Sequence, residues 1–151
     1  MPVFPKVLVV EDDEAIRALL VAALRREPFE VHSACDGAEA LKLTRISEYA
    51  VILLDLMMPA LSGVGFLEAF HEAVPQSRTV IFVMTAFDDV MVRNIAPNLV
   101  HGILKKPFDI PQLVAMVREV AQVRVDAVAL NSGDTVITEP GDEAQPVEPP
   151  N

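Results

Sequence analysis

Four short runs in this sequence, three of them wholly apolar, each close on a polar group. Val51-Ile52-Leu53-Leu54 ends on Asp55, with Pro59 four residues later. Val7-Leu8-Val9-Val10 ends on Glu11-Asp12-Asp13, Val80 to Met84 ends on Thr85, and Gly102 to Lys105 ends on Lys106-Pro107. Gathered in one place, the carboxylates of Glu11, Asp12 and Asp55 would repel each other, and burial with like charge would raise the proton affinity of at least one. A hard divalent cation removes that conflict. Mg²⁺ takes oxygen ligands and is commonly held by one or two carboxylates beside a phosphoryl group. A lysine and a hydroxyl then supply a point charge and a donor for phosphoryl oxygens. An aspartate can itself be the nucleophile and become an aspartyl phosphate. The set suits metal-assisted phosphoryl transfer onto Asp55, provided that the four strand ends meet.

The elements between these residues decide whether they meet. Short apolar runs bounded by turn signals read as strands buried on both faces. Ile16, Leu19, Leu20, Ala23 and Leu24 give a helical stripe after Asp13, its N-cap, and Pro28 stops it. Glu30 to Ala34 alternates weakly, as a strand near the sheet edge does. Asp36 caps a helix carrying Ala40, Leu41 and Leu43; Ser62-Gly63 opens one with Phe66, Leu67, Ala69 and Phe70. Asp88-Asp89 should cap a short helix that Pro97 breaks or ends. Asp109 caps the last helix, with Gln112 three residues on and Leu113, Val117, Val120 and Ala121 as its stripe. Five strands alternating with five helices pair in parallel with right-handed crossovers. Glu11, Asp12, Asp55, Thr85 and Lys106 are then expected on one edge of one sheet.

Composition bounds the rest. The chain has 151 residues, enough for one ordinary domain, with 52% apolar residues and no Trp, so the core is aliphatic. Net charge is −10, and six acidic residues after Arg124 leave about −4 on the body. Neither part carries the basic stripe of a nucleic-acid binder. Cys35 is the only cysteine, which fits a reducing cytoplasm, and neither a signal peptide nor a membrane-spanning apolar run is evident. From about Leu130, prolines and carboxylates replace large apolar residues. The expected organisation is a folded domain over 5–124 and an acidic, Pro-rich, disordered tail over 130–151.

Val9-Val10-Glu11-Asp12-Asp13, Leu53-Leu54-Asp55-Leu56-Met57-Met58-Pro59, Met84-Thr85-Ala86 and Lys105-Lys106-Pro107 together resemble the receiver domain of two-component response regulators. The resemblance covers roughly Lys6 to Ala121. It implies a doubly wound five-stranded parallel sheet of order 2-1-3-4-5, flavodoxin-like (βα)5, an order carried over from the family. It implies that Asp55 accepts a phosphoryl group from a sensor histidine kinase or phosphotransfer protein. Asp12 would ligate Mg²⁺, or Mn²⁺ in its place, directly, Glu11 would do so through water, and Met57 would offer its backbone carbonyl. Lys106 would pair with phosphoryl oxygens beside a cis bond to Pro107, and Thr85 would swing its hydroxyl to the phosphoryl group. The domain would catalyse only its own phosphorylation and dephosphorylation.

Three positions depart from the family pattern. Ile103 stands where a switch aromatic is usual, Pro97 shortens the fourth helix, and Ala60 replaces a common loop glycine. A DNA-reading output would need roughly 60–100 further residues with a basic recognition helix. The expectation is therefore a stand-alone cytoplasmic receiver acting through a downstream protein, without direct nucleic-acid or membrane contact, as a monomer or a phosphorylation-linked homodimer. The alternative is a receiver-fold interaction module that signals without phosphate. An aspartate-nucleophile phosphatase would want an Asp where Met57 stands. A flavin site would want a Gly/Ser/Thr phosphate loop where Glu11-Asp12-Asp13 stands.

Overall fold

The computed structural model describes residues 4–58, 61–86, 95 and 97–122. The elements run β1 (Lys6–Val10), α1 (Glu14–Leu24), β2 (Glu30–Ala34), α2 (Gly37–Ile46), β3 (Val51–Asp55), α3 (Gly63–Ala73), β4 (Val80–Thr85), a 3-10 turn (Pro97–Leu99) and β5 (Gly102–Lys105). A last helix, α4, covers 110–122. The five strands form one sheet of order β2-β1-β3-β4-β5, and every pairing is parallel. The helix expected after Asp88-Asp89, Ala60 and Pro59, and the acidic tail lie outside the described residues.

Strands β1, β3 and β4 are apolar at consecutive positions because both faces of the sheet are covered there. Val7, Val9, Val51, Leu53, Phe82 and Met84 pack with Leu20 and Leu24 of α1 and Leu113, Val117 and Ala121 of α4. The alternate residues Leu8, Val10, Ile52, Leu54, Ile81 and Val83 pack with Ala40 of α2 and Phe66, Leu67 and Phe70 of α3. Truncating Leu53, fully buried in the central strand, to Ala would cost about 2–5 kcal/mol.

Each helix starts where a short polar side chain satisfies an otherwise orphaned backbone N–H. The Ile16 N–H donates to Asp13 Oδ1 (3.0 Å), that of Glu39 to Asp36 Oδ1 (2.8 Å), that of Gly65 to Ser62 Oγ (3.1 Å) and that of Gln112 to Asp109 Oδ1 (3.1 Å). Each cap contributes about 1 kcal/mol. One stripe residue departs from expectation: Leu19 is 55% exposed. A helix turns about 100° per residue, so Leu19 lies one step round from buried Leu20. It ends at the seam between α1 and α4, beside Ile110 and Val114.

Sheet order fixes where chemistry can occur. The chain moves outward from β1 to β2 on one side and from β3 to β5 on the other. The carboxyl ends of β1 and β3 therefore flank the point where strand order reverses, where open α/β sheets bind ligands.

Candidate functional site

Register brings the polar strand ends level. Val10 pairs with Leu54, so Glu11 and Asp55 are abreast; Asp55 pairs with Met84, so Thr85 lies one step beyond. Thr85 pairs with Lys105, and the Lys106 N–H donates to the Thr85 carbonyl at 2.8 Å. The site backbone is pinned further by Glu11 N–H to Ala34 O (3.1 Å) and Leu56 N–H to Met84 O (3.2 Å).

Asp55 forms the floor, 2% exposed, with Glu11 at 1% and Thr85 at 2%. Asp12 is exposed at the rim. One carboxylate oxygen from each of Glu11, Asp12 and Asp55 lies within 4.8 Å of the others. The Lys106 ammonium sits 3.0 Å from Glu11 Oε1 and 3.5 Å from Asp55 Oδ2. The Met57 N–H donates to Asp55 Oδ1 (3.1 Å), and the Asp13 N–H donates to Glu11 Oε2 (3.1 Å). Met57 itself is half exposed, so its side chain takes no part in the floor. The Lys106–Pro107 bond is cis, as expected.

Burial is the main force pushing the Asp55 carboxyl up to about 7, joined by a hydrogen bond and like charge from Glu11. The Met57 N–H and the Lys106 charge oppose it and lose. Burial pulls the Lys106 ammonium down, but its hydrogen bond to Glu11 and the charges of Asp55 and Glu11 outweigh that and raise it. Asp55 thus holds its proton far more tightly than an ordinary carboxyl. Three carboxylates face one ammonium, so the set carries a deficit of positive charge. Its donors are all hard oxygens, two of them nearly solvent-free. That set fits Mg²⁺ far better than a thiolate- or imidazole-preferring metal.

Every sequence-predicted site residue falls on this edge except Ile103, which is 47% exposed on β5 and points to the outer surface. Two supporting residues carry no signal of their role in the sequence. The Arg17 guanidinium on α1 donates to the Glu11 carbonyl at 2.9 Å, holding the acidic loop. Gly63, which reads only as a helix opener, is where α3 crosses the acceptor strand. A Cβ there would stand 2.6 Å from both the Asp55 carbonyl oxygen and Leu56 Cα.

Fold and site together place the chain in a family. The model of the response regulator receiver domain matches residues 7–118, and the chain belongs to that family. Its relatives include the sensor kinase CckA of Brucella abortus, 33% identical over 77% of this chain and 12% of the kinase. The transcriptional regulatory protein SrrA of Staphylococcus aureus is 41% identical over 54% of this chain and 32% of SrrA. The chain spans about half or less of the length of the curated relatives it matches. Among solved structures, the receiver domain of Francisella response regulator 1452 is 29% identical with a TM-score of 0.70, covering 80% of this chain and 98% of that one. Vibrio cholerae chemotaxis protein CheY4 is 28% identical with a TM-score of 0.71, covering 78% and 99%. Thermotoga maritima TrrA, solved in complex with Mg²⁺-BeF, is 26% identical with a TM-score of 0.68, covering 78% and 99%.

Proposed function

We propose that this receiver accepts a phosphoryl group on Asp55 from a sensor histidine kinase or phosphotransfer protein in the cytoplasm. The observation that carries the reading is the buried Asp55 carboxylate, ringed by Glu11 and Asp12 and 3.5 Å from Lys106. Asp12, Asp55 and the Met57 carbonyl would hold Mg²⁺ (or Mn²⁺), with Glu11 acting through water. The ion would supply positive charge to neutralise the carboxylates and the incoming phosphoryl oxygens. The Mg²⁺-BeF complex of TrrA supports this choice of ion.

The chain's own groups do the rest. Asp55 must first lose the proton that burial and Glu11 favour. Its oxygen then attacks phosphorus; a P–O bond forms to the carboxylate as the donor's P–N bond breaks, and the freed imidazole keeps the electron pair and takes up a proton. Lys106 turns from Glu11 to the new phosphoryl oxygens, and Thr85 offers its hydroxyl to another. Their tighter grip on the phosphorylated state is what shifts the domain between two conformations. We propose a protein contact or onward phosphotransfer as output, which the chain's acidic balance favours over nucleic acid. The folded receiver would span 5–124, with 130–151 as an acidic appendage.

Incubation with acetyl phosphate tests this: wild type with Mg²⁺ gains an acid-labile label, and wild type without Mg²⁺ and Asp55→Asn do not. An exposed Ile103 in the switch position favours one rival, an interaction module working without phosphate. An unlabelled wild type would support that rival.

A further inference from the structure

On the sheet edge opposite Asp55, a hollow of about 460 Å³ opens between the C-terminal ends of α2 and α3. Its floor includes Tyr49 and Phe70, both buried. Its rim carries two of the chain's exposed large apolar side chains, Ile46 (79% exposed) on α2 and Val74 (39% exposed) after α3. The guanidinium groups of Arg45 and Arg78 border it, and neither has a carboxylate partner among the described residues. Lys6 adds a third positive charge, its ammonium 3.4 Å from Ser47 Oγ on the hollow's wall. Among the described residues Glu48 is the only acid lining it, and it is engaged in a contact of its own. On a body of about −4, this is a local positive patch around an apolar cleft.

The chain supplies an occupant of matching chemistry. All six acidic residues after Arg124 lie in a stretch without a single basic residue. Within it, Val136-Ile137 is an aliphatic pair flanked by Asp134 and Glu139. Geometry permits the reach. In a parallel sheet the covering helices run back against the strands, so the described part of α4, as far as Gln122, runs toward the same edge as the hollow. Residues 123–133 then span up to about 36 Å when extended, comparable with a domain diameter. A tether of that length gives an effective concentration in the millimolar range, so a weak contact suffices.

We propose that the hollow between α2 and α3 binds the chain's own acidic segment, with Val136 and Ile137 against Ile46 and Val74 and with Asp134 and Glu139 facing Arg45 and Arg78. The contact closes a cleft remote from the phosphoryl site and needs no partner protein.

The test uses the full chain with Cys35→Ser and Thr138→Cys, a nitroxide attached at position 138, and isotope labelling for NMR. At low salt the amides of Ile46, Ser47, Val74 and Gln76 should lose most of their intensity. At about 1 M salt, where the Debye length is about 3 Å, they should recover. Arg45→Glu with Arg78→Glu should abolish the effect, while Arg26→Glu, on the far side of the sheet, should leave it. Broadening elsewhere, or none, overturns the proposal. So does broadening that appears between a nitroxide-bearing chain and a separately isotope-labelled chain, since that assigns the hollow to a second copy.

Discussion

Replacing Asp55 by asparagine should stabilise the ion-free protein at neutral and higher pH, although it removes the residue at the centre of the site. Folding moves the Asp55 carboxyl from an ordinary 3.8 to about 7. Between those values the folded chain keeps a proton that the unfolded chain has released, so stability falls as pH rises across that window. Above about 7 the full cost applies; below about 4 it vanishes. At about 1.4 kcal/mol per pH unit the ceiling is about 4 kcal/mol, and relaxation of Lys106 and Glu11 will lower it. The chain has no Trp, so urea unfolding in EDTA is followed by far-UV circular dichroism. The Asp55→Asn variant should exceed wild type by several kcal/mol at pH 8, and the two should converge near pH 4. Parallel curves, or a variant less stable than wild type at pH 8, would refute the charge-crowding argument.

Other consequences follow from the same geometry. Mg²⁺ at about 100 times its dissociation constant should stabilise wild type by about 2.7 kcal/mol and flatten its slope between pH 4 and 7; in Asp12→Asn, calorimetry should find most of that gain lost. Lys106→Met leaves Glu11 without its 3.0 Å partner. The loss should be about 2 kcal/mol at pH 8, with the Asp55 carboxyl titrating above 7 by carbon NMR. Gly63→Ala drives a Cβ into the Asp55 carbonyl and Leu56 Cα, both backbone. Overpacking of about 1–3 kcal/mol should appear in urea unfolding, with shifted Asp55 and Leu56 amides. Ile103→Tyr should enlarge the chemical-shift response of β5 to beryllofluoride; an equal response in wild type would mean that position 103 does not limit coupling.

Much of the site was legible because strand ends carry a strong signal. An apolar run that stops on Glu11, Asp55 or Thr85 marks both the burial of the strand and the edge on which its last residue emerges. Asp13, Asp36, Ser62 and Asp109 were equally readable as caps, since their side chains act on backbone three residues away. Distances across the sheet were not readable. Nothing local to Glu11 says that it is buried while Asp12 stays exposed, or that Lys106 sits closer to Glu11 than to Asp55. Leu19 shows the same limit: its spacing belongs to an apolar stripe, and only the placement of α4 beside α1 leaves it uncovered. Gly63 looked like helix punctuation because the backbone it must clear lies at the end of β3, in a different element. His32 on β2 bridges its strand neighbour Glu30 (2.9 Å) and the buried Tyr49 (2.6 Å), the latter a contact between side chains 17 positions apart.

The most direct measurement is to locate the acyl phosphate. After acetyl phosphate and Mg²⁺ treatment, borohydride reduces a phosphorylated aspartate to homoserine, and tryptic peptides are sequenced by mass spectrometry. Asp55 is the only aspartate between Arg45 and Arg78. Homoserine at position 55, absent when Mg²⁺ is withheld, is the expected result. Homoserine at Asp12 or Asp13 instead, or at no position in a folded and Mg²⁺-bound protein, would contradict the account.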